Sequence, residues 1–239
     1  MAGSEKNRDD ADAQNWIVQA EAIKTSGRWS DHNSRIVSYL NSGIDEKKLW
    51  WIEVISTLTY ECFREYTALK LAFDTGAADD ISLIAWRTRN LLEISMWAGY
   101  CAIDEANARV FYEDAGRDML DIAQQYIKWG EEHFDDREMS LFRDGIDELK
   151  KGASKKGIND LDTTYTRVND AAKMIGFEKN FKISYKSLSK FAHPTAGAVM
   201  LGGKCQQALQ RARKSFYAQG CVCFIGGFTS LETTLLPLP

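Results

Sequence analysis

Two short stretches hold the side chains best suited to chemistry. The first, "WRTRNLLEISMWAGY", covers residues 86–100. Its Arg89 and Glu93 stand four residues apart, the spacing at which a guanidinium and a carboxylate meet along one side of a helix. With about 100° of rotation per residue, Trp86, Asn90, Glu93 and Trp97 fall within about 60° of one another, and Arg89 and Tyr100 flank them. Arg87 lies about 120° from Glu93 and falls outside that pair. The second stretch, "YKSLSKFAHPTAG", covers residues 185–197 and sets Tyr185, Ser189 and His193 at four-residue intervals. Pro194 restricts the residue before it and cannot extend the hydrogen-bond ladder, so the helix is expected to stop near His193.

Histidine exchanges protons near neutrality, and arginine or lysine stabilises the charge of a phosphate. Lys186 and Lys190 make the end of the second stretch attractive to an anion. The chemistry these residues offer is a metal-independent phosphodiester cleft. His193 would act as acid/base, Arg89 as phosphate contact and Glu93 as its partner. Asn90, Tyr100, Tyr185, Ser189 and Lys190 would support the substrate, with Tyr60, Glu61 and Arg64 reaching in from the preceding helix. The same residues admit a structural reading. The 86–100 helix is apolar almost all round and hence central, and buried charges need partners. Arg89, Asn90 and Glu93 would then form a polar network that sets register, and His193 would cap its helix.

Other chemistries fit less well. Ser189 could hydrogen-bond His193, but a serine in mid-helix lacks the exposed elbow, the oxyanion hole and the orienting carboxylate of a nucleophile. His32, His133 and His193 are far apart in sequence and show no HxxxH or HExxH spacing, so neither a metal nor another cofactor is expected. The five cysteines include "CVC" at 221–223, which is not a CxxC pair, and they read as reduced thiols of a cytoplasmic protein.

The elements that must position these groups are helices. The 239 residues contain only three prolines, at 194, 237 and 239, so the commonest helix breaker is missing from most of the chain. The periodicity predicts helices over 15–24 and 34–40, with a turn in "GRWSDHNSR" and Ser30 or Asp31 as N-cap. A long helix is expected from Asp45 to about Phe73. "DTGAADD" then breaks the chain, and Asp79 or Asp80 caps a second long helix through Tyr100. Its continuation, "DEANARVFYEDAGRDMLDIAQQYIKWGEEHF", is helical with kinks near Gly116 and Gly130. Further helices are expected over 136–151, from Thr163 or Thr164 to 175, over 178–192 and over 201–220. "KKGASKKGIND", with Lys150, Lys151, Lys155 and Lys156, reads as an exposed basic loop. Residues 181–185 and 221–225 are the only segments with strand character. The expected class is all-α, a long antiparallel helical hairpin within a multi-helix bundle. The divisions are a flexible segment over 1–14, a helical extension over 15–44, the bundle over 45–228 and a tail over 229–239.

A hydrophobic share of 44% and a charged share of 27% suit a globular protein with a substantial core. The net charge of −4 advertises no global field for nucleic acid, although a local cleft can still be basic. No run is long and apolar enough for a membrane span, and the polar start carries no secretory pattern, so no membrane partner is expected.

"RNLLEISMWAGY" together with "YKSLSKFAHPTAG" resembles the bacterial DUF5677 family, which pairs an Arg-x-x-x-Glu helix with a later Tyr…Ser…His-Pro element. Arg89, Glu93, Tyr100, Tyr185, Ser189, His193, Pro194 and Thr195 carry the likeness, which spans roughly residues 49–217. Thr195 thereby joins the supporting residues. That family in turn resembles HEPN-type helical proteins, many of them RNases of toxin or defence systems. The resemblance implies RNA or another phosphate-containing ligand, and a homodimer with the motif helices near a shared cleft. HEPN-type proteins set an arginine four to six residues before the histidine, whereas Ser187, Leu188 and Ser189 stand there in this chain. An RNase would need Arg89 to enter from another helix. The alternative is a non-catalytic helical module that binds a protein, nucleotide or nucleic acid.

Overall fold

The computed structural model describes residues 2–42, 49–76, 81–155, 158, 166–193, 195 and 206–234, with 2–10 and 49 as backbone only. Within them the chain forms helices α1 (Ala2–Thr25), α2 (Arg28–Asn41), α3 (Leu49–Thr75), α4 (Ile81–Ile103), α5 (Glu105–Gly130), α6 (Asp136–Lys155), α7 (Val168–Met174), α8 (Glu178–Ala192) and α9 (Gln206–Thr234). The described residues contain no strand, and the protein is an all-α multi-helix bundle. The expected helix starts at Asp45, Thr163 or Thr164 and residue 201, the caps Asp79 and Asp80, Lys156, Pro194 and the last five residues lie outside the described set.

Local chemistry explains where the helices stop. The first turn is confined to Ser26 and Gly27, and Gly27 takes the left-handed φ of 79° that a side chain would resist. α2 therefore starts at Arg28, and Ser30 and Asp31 lie inside it rather than capping it. The long run after α4 is broken at Asp104, whose carboxylate accepts from the Ala106 N–H at 2.9 Å and caps α5. α5 passes through Gly116 and ends at Gly130. Asp135 caps α6 by accepting from Arg137 N and Glu138 N at 3.0 and 2.9 Å. Gly176, at φ 75°, closes α7, with its N–H on Lys173 O and that of Phe177 on Ala172 O.

Both segments with strand character are helical. Residues 181–185 belong to α8, and 221–225 sit in the middle of α9. The second was ambiguous because its run is apolar on both its buried side, with Cys221, Cys223 and Phe224, and its open side, where Val222 is 41% exposed. An all-apolar run loses the polar face that betrays a helix.

α3, α4 and α9 form the centre. α3 runs antiparallel to α9, with Tyr66 stacked on Phe224 (4.1 Å between centroids, 7° between planes) and Phe73 on Tyr217 (4.0 Å, 6°). α4 and α9 run parallel and in register. Gly220 lies against Thr88 and Gly227 against Ser95, seven residues further along both helices. Thr88 Oγ1 donates to Phe216 O at 3.0 Å between them. α8 lies antiparallel to α4, with Arg89 opposite Tyr185 and His193. Ala20 and Ile23 of α1 enter the same core as Tyr66, Leu69 and Phe224. A second cluster gathers Ile52, Ile55, Tyr100, Cys101 and Leu231.

Candidate functional site

The centre of the site is one side chain. Arg89 projects from the middle of α4 toward the C-terminal end of α8, and its side chain is 20% exposed. Its Nε donates to Glu93 Oε1 at 3.1 Å, one helical turn along the same face. Its Nη2 donates to the Tyr185 hydroxyl, and its guanidinium carbon stands 4.4 Å from the centroid of that ring. Its Nη1 is 3.0 Å from His193 Nε2. A guanidinium has donors only, so Nε2 must offer its lone pair and the ring proton sits on Nδ1. Glu93, Tyr185 and His193 thus meet around a single arginine, across 104 residues in the case of His193.

His193 is the C-cap of α8, with extended backbone (φ −110°, ψ 152°) and its N–H on Ser189 O. The turn is fastened by Thr195, whose hydroxyl donates to Lys190 O at 2.8 Å and whose N–H donates to His193 O at 2.7 Å. The ring is thereby carried at the solvent-facing end of the helix. Lys186 and Lys190 are exposed on the same helix.

The other expected site residues are distributed differently. Asn90 turns to α3, where Nδ2 donates to Glu65 Oε2 at 3.4 Å. Ser189 Oγ is buried without a partner among the described residues, so no serine–histidine side-chain pair forms. Tyr100 is buried in the second core cluster, about 16 Å along α4 from Arg89 at the helical rise per residue. Lys190 meets Thr195 through its backbone carbonyl, which accepts from the Thr195 hydroxyl. Tyr60 is exposed, and Glu61 pairs with Arg64 on its own helix.

Glu65 was missed by the sequence reading. It is 3% exposed on α3 and accepts from Arg87 Nη1 with both oxygens at 3.0 Å, with Arg64 3.4 Å away. The signal was present: Leu58, Cys62, Glu65 and Leu69 recur at helical spacing, so a carboxylate interrupts an otherwise buried apolar stripe. The polar face of α4 consequently divides. Arg87 and Asn90 satisfy Glu65 on the α3 side, while Arg89 faces α8.

Cavities adjoin this face. One of about 210 Å³ is lined by Glu61, Arg64, Glu65, Asn90, Glu93 and Trp97, among others. A second, of about 320 Å³, includes Glu93, Trp97, Phe111, Asp114, Asp118 and Arg167. Burial, helped by the charges of Asp114 and Asp121, raises the Asp118 carboxyl above its ordinary range. On the α3 side of Glu93 the carboxylates Glu61 and Glu65 are paired with Arg64 and Arg87, while Asp114 and Asp118 add carboxylates on the α5 side. Among the described residues no group of three His, Cys, Asp or Glu is disposed to hold a metal, and no helix is long and apolar enough to cross a membrane. Cys62, Cys101, Cys221 and Cys223 are buried free thiols, and burial pushes the last two up to about 12.

The model of DUF5677, a family of unknown function, matches residues 53–203. No curated protein and no solved structure matches the chain.

Proposed function

The chain belongs to the DUF5677 family, and from that premise we propose that it is a metal-independent phosphodiesterase acting on RNA, of the HEPN-like type, with His193 as acid/base and Arg89 as phosphate contact. The observation that carries this reading is the Arg89 Nη1–His193 Nε2 contact of 3.0 Å at an exposed helix end. It joins a phosphate-binding group to a proton-exchanging one, and the arginine comes from a different helix than in the HEPN pattern. A substrate phosphate arriving past Lys186 and Lys190 competes for Nη1 and frees the Nε2 lone pair. His193 then takes the proton of the ribose 2′-hydroxyl as that oxygen bonds to phosphorus. The bond to the 5′ oxygen breaks, and the leaving oxygen takes a proton from water. The products are a 2′,3′-cyclic phosphate and a 5′-hydroxyl end. Glu93 and Tyr185 hold the guanidinium in place during the exchange.

A second reading has its own support. Each of the three nitrogens of Arg89 already has a protein partner, as in a latch that joins α4 to α8. In that case the protein is a non-catalytic module that binds a protein, nucleotide or nucleic acid. One experiment separates the two: RNA cleavage by the wild type, His193→Ala and Arg89→Ala in EDTA, with helicity checked by circular dichroism. The catalytic reading expects cyclic-phosphate ends from the wild type and a loss of about 100-fold or more in both variants. Equal cleavage by three folded proteins would leave the latch.

A further inference from the structure

We infer that the arm formed by α5 and α6 is a homodimerisation surface, on which a second copy of this chain docks antiparallel about a two-fold axis near Gly145. The inference rests on elements other than α4 and α8 and is independent of any catalytic role. It also differs from the shared-cleft dimer implied by the HEPN resemblance, which would bring the motif helices together.

α6 is amphipathic and packs on α5 through Met139 and Ile146, with Met139 Sδ close to the bare face of Gly130. Yet the apolar arc of both helices is wider than this contact. On α5, Met119, Ile122, Tyr126 and Trp129 recur at helical spacing, and each is half exposed. On α6, Leu141 is 71% exposed, and Phe142 and Leu149 lie partly open beside it. In each helix the open stripe is rotated about 100° from the packed one. Because the two helices are antiparallel, those rotations turn both stripes to the same side of the layer. Ring contacts bridge the two stripes: Trp129 meets Phe134 at 5.2 Å, and Phe134 stacks on Phe142 at 6.0 Å. One side of a two-helix layer is thus left apolar, an arrangement that two such layers resolve by closing into a four-helix bundle.

The sequence of α6 is complementary to itself when reversed. Leu141, Gly145 and Leu149 follow at four-residue intervals, and nothing lies within 4 Å of where a Cβ on Gly145 would stand. An axis through Gly145 lets two α6 backbones approach and sets Leu141 of each copy against Leu149 of the other. The same axis sets the acidic start of α6, where Glu138 shares the face of Gly145, toward the second copy's basic last turn with Lys155. Both are exposed. This is the self-matching that a two-fold interface requires. A helix of this length presents about 30 Å, and a two-helix face about 600 Å², close to the roughly 800 Å² per partner of a stable complex.

Sedimentation equilibrium of the full chain across the micromolar range tests the proposal. The wild type is expected to dimerise, and Leu141→Glu to raise the dissociation constant by about 100-fold or more with helicity unchanged. Should Leu141→Glu fail to fold, exposed charge variants decide. Lys155→Glu, and separately Glu138→Lys, should each weaken self-association, and mixing the two proteins should restore a heterodimer. Gly145→Cys should give a disulfide-linked dimer on mild oxidation. A wild type that stays monomeric overturns the inference, as does a dimer indifferent to all these substitutions.

Discussion

Arg89 and His193 meet through one nitrogen each, at 3.0 Å, and this contact ties the middle of α4 to the end of α8. Because arginine only donates, the contact fixes the histidine tautomer. In long-range ¹H–¹⁵N spectra, His193 of the wild type is expected as the Nδ1–H form. Arg89→Ala should let the ring return to a mixture dominated by Nε2–H. Since the cluster is partly exposed, the same substitution should cost only about 1–2 kcal/mol, or a Tm decrease of about 3–6 °C. An unchanged tautomer in Arg89→Ala would show that the contact does not govern the ring.

Glu65 and Arg87 should be more costly to separate. Glu65 is 3% exposed and takes both of its short contacts from Arg87. Arg87→Ala leaves a buried carboxylate with only the longer contacts to Arg64 and Asn90. A loss of about 2–4 kcal/mol is expected in urea denaturation. The double variant Arg87→Met with Glu65→Leu should recover most of it, because the desolvation penalty disappears along with the pair.

His32 supplies a pH dependence. It is fully buried against Thr59 and Phe228, and burial, reinforced by Arg35 and opposed by Glu232, pushes it down from 6.5 to about 4. Above pH 6.5 the ring is neutral in both states and contributes no slope. Between 6.5 and 4 the unfolded chain binds a proton that the folded one refuses, so stability falls with pH; below 4 the slope ends. Between pH 7 and pH 5 the loss should reach about 2 kcal/mol. Denaturation of His32→Phe over the same interval should show a visibly flatter profile.

Gly220 tests the seam of the core. A Cβ there would come within 2.3 Å of Leu69 Cδ2 and 3.1 Å of Thr88 Oγ1. Gly220→Ala should therefore destabilise by about 1–3 kcal/mol despite the better helix propensity of alanine. Gly226→Ala, on the same helix with open space around it, should be neutral or mildly stabilising. Thermal denaturation of the two variants side by side distinguishes packing from propensity.

What could be read from the sequence was what periodicity encodes. The Arg89–Glu93 pair, the extent of α8 and the stop at His193 follow from spacing and from one proline. Trp86 did not follow. It shares a helix face with Asn90 and Glu93, yet it is 41% exposed and carries Arg87 over its ring at 4.5 Å. Helical phase says which residues lie side by side, but not which neighbour covers them. For the same reason the meeting of α4 with α8, the division of the polar face and the role of Glu65 depended on packing between distant segments. The break at Asp104 was not anticipated, because helix formers stand on both sides of the carboxylate that caps α5.

The parallel register of α4 and α9 governs when the protein can come into being. The helix that carries Arg89 has its most extensive packing against the one that begins at Gln206, beyond the last residue of the family match. A ribosome must therefore release the segment through Gly227 before Thr88 and Ser95 find the glycines that seat them. Until then α3, α4 and α8 can assemble only with one apolar flank open, a species vulnerable to proteolysis and aggregation. A fragment cut to residues 53–203 would stay in that state, because it contains Arg89 and His193 without the helix that packs most extensively on α4.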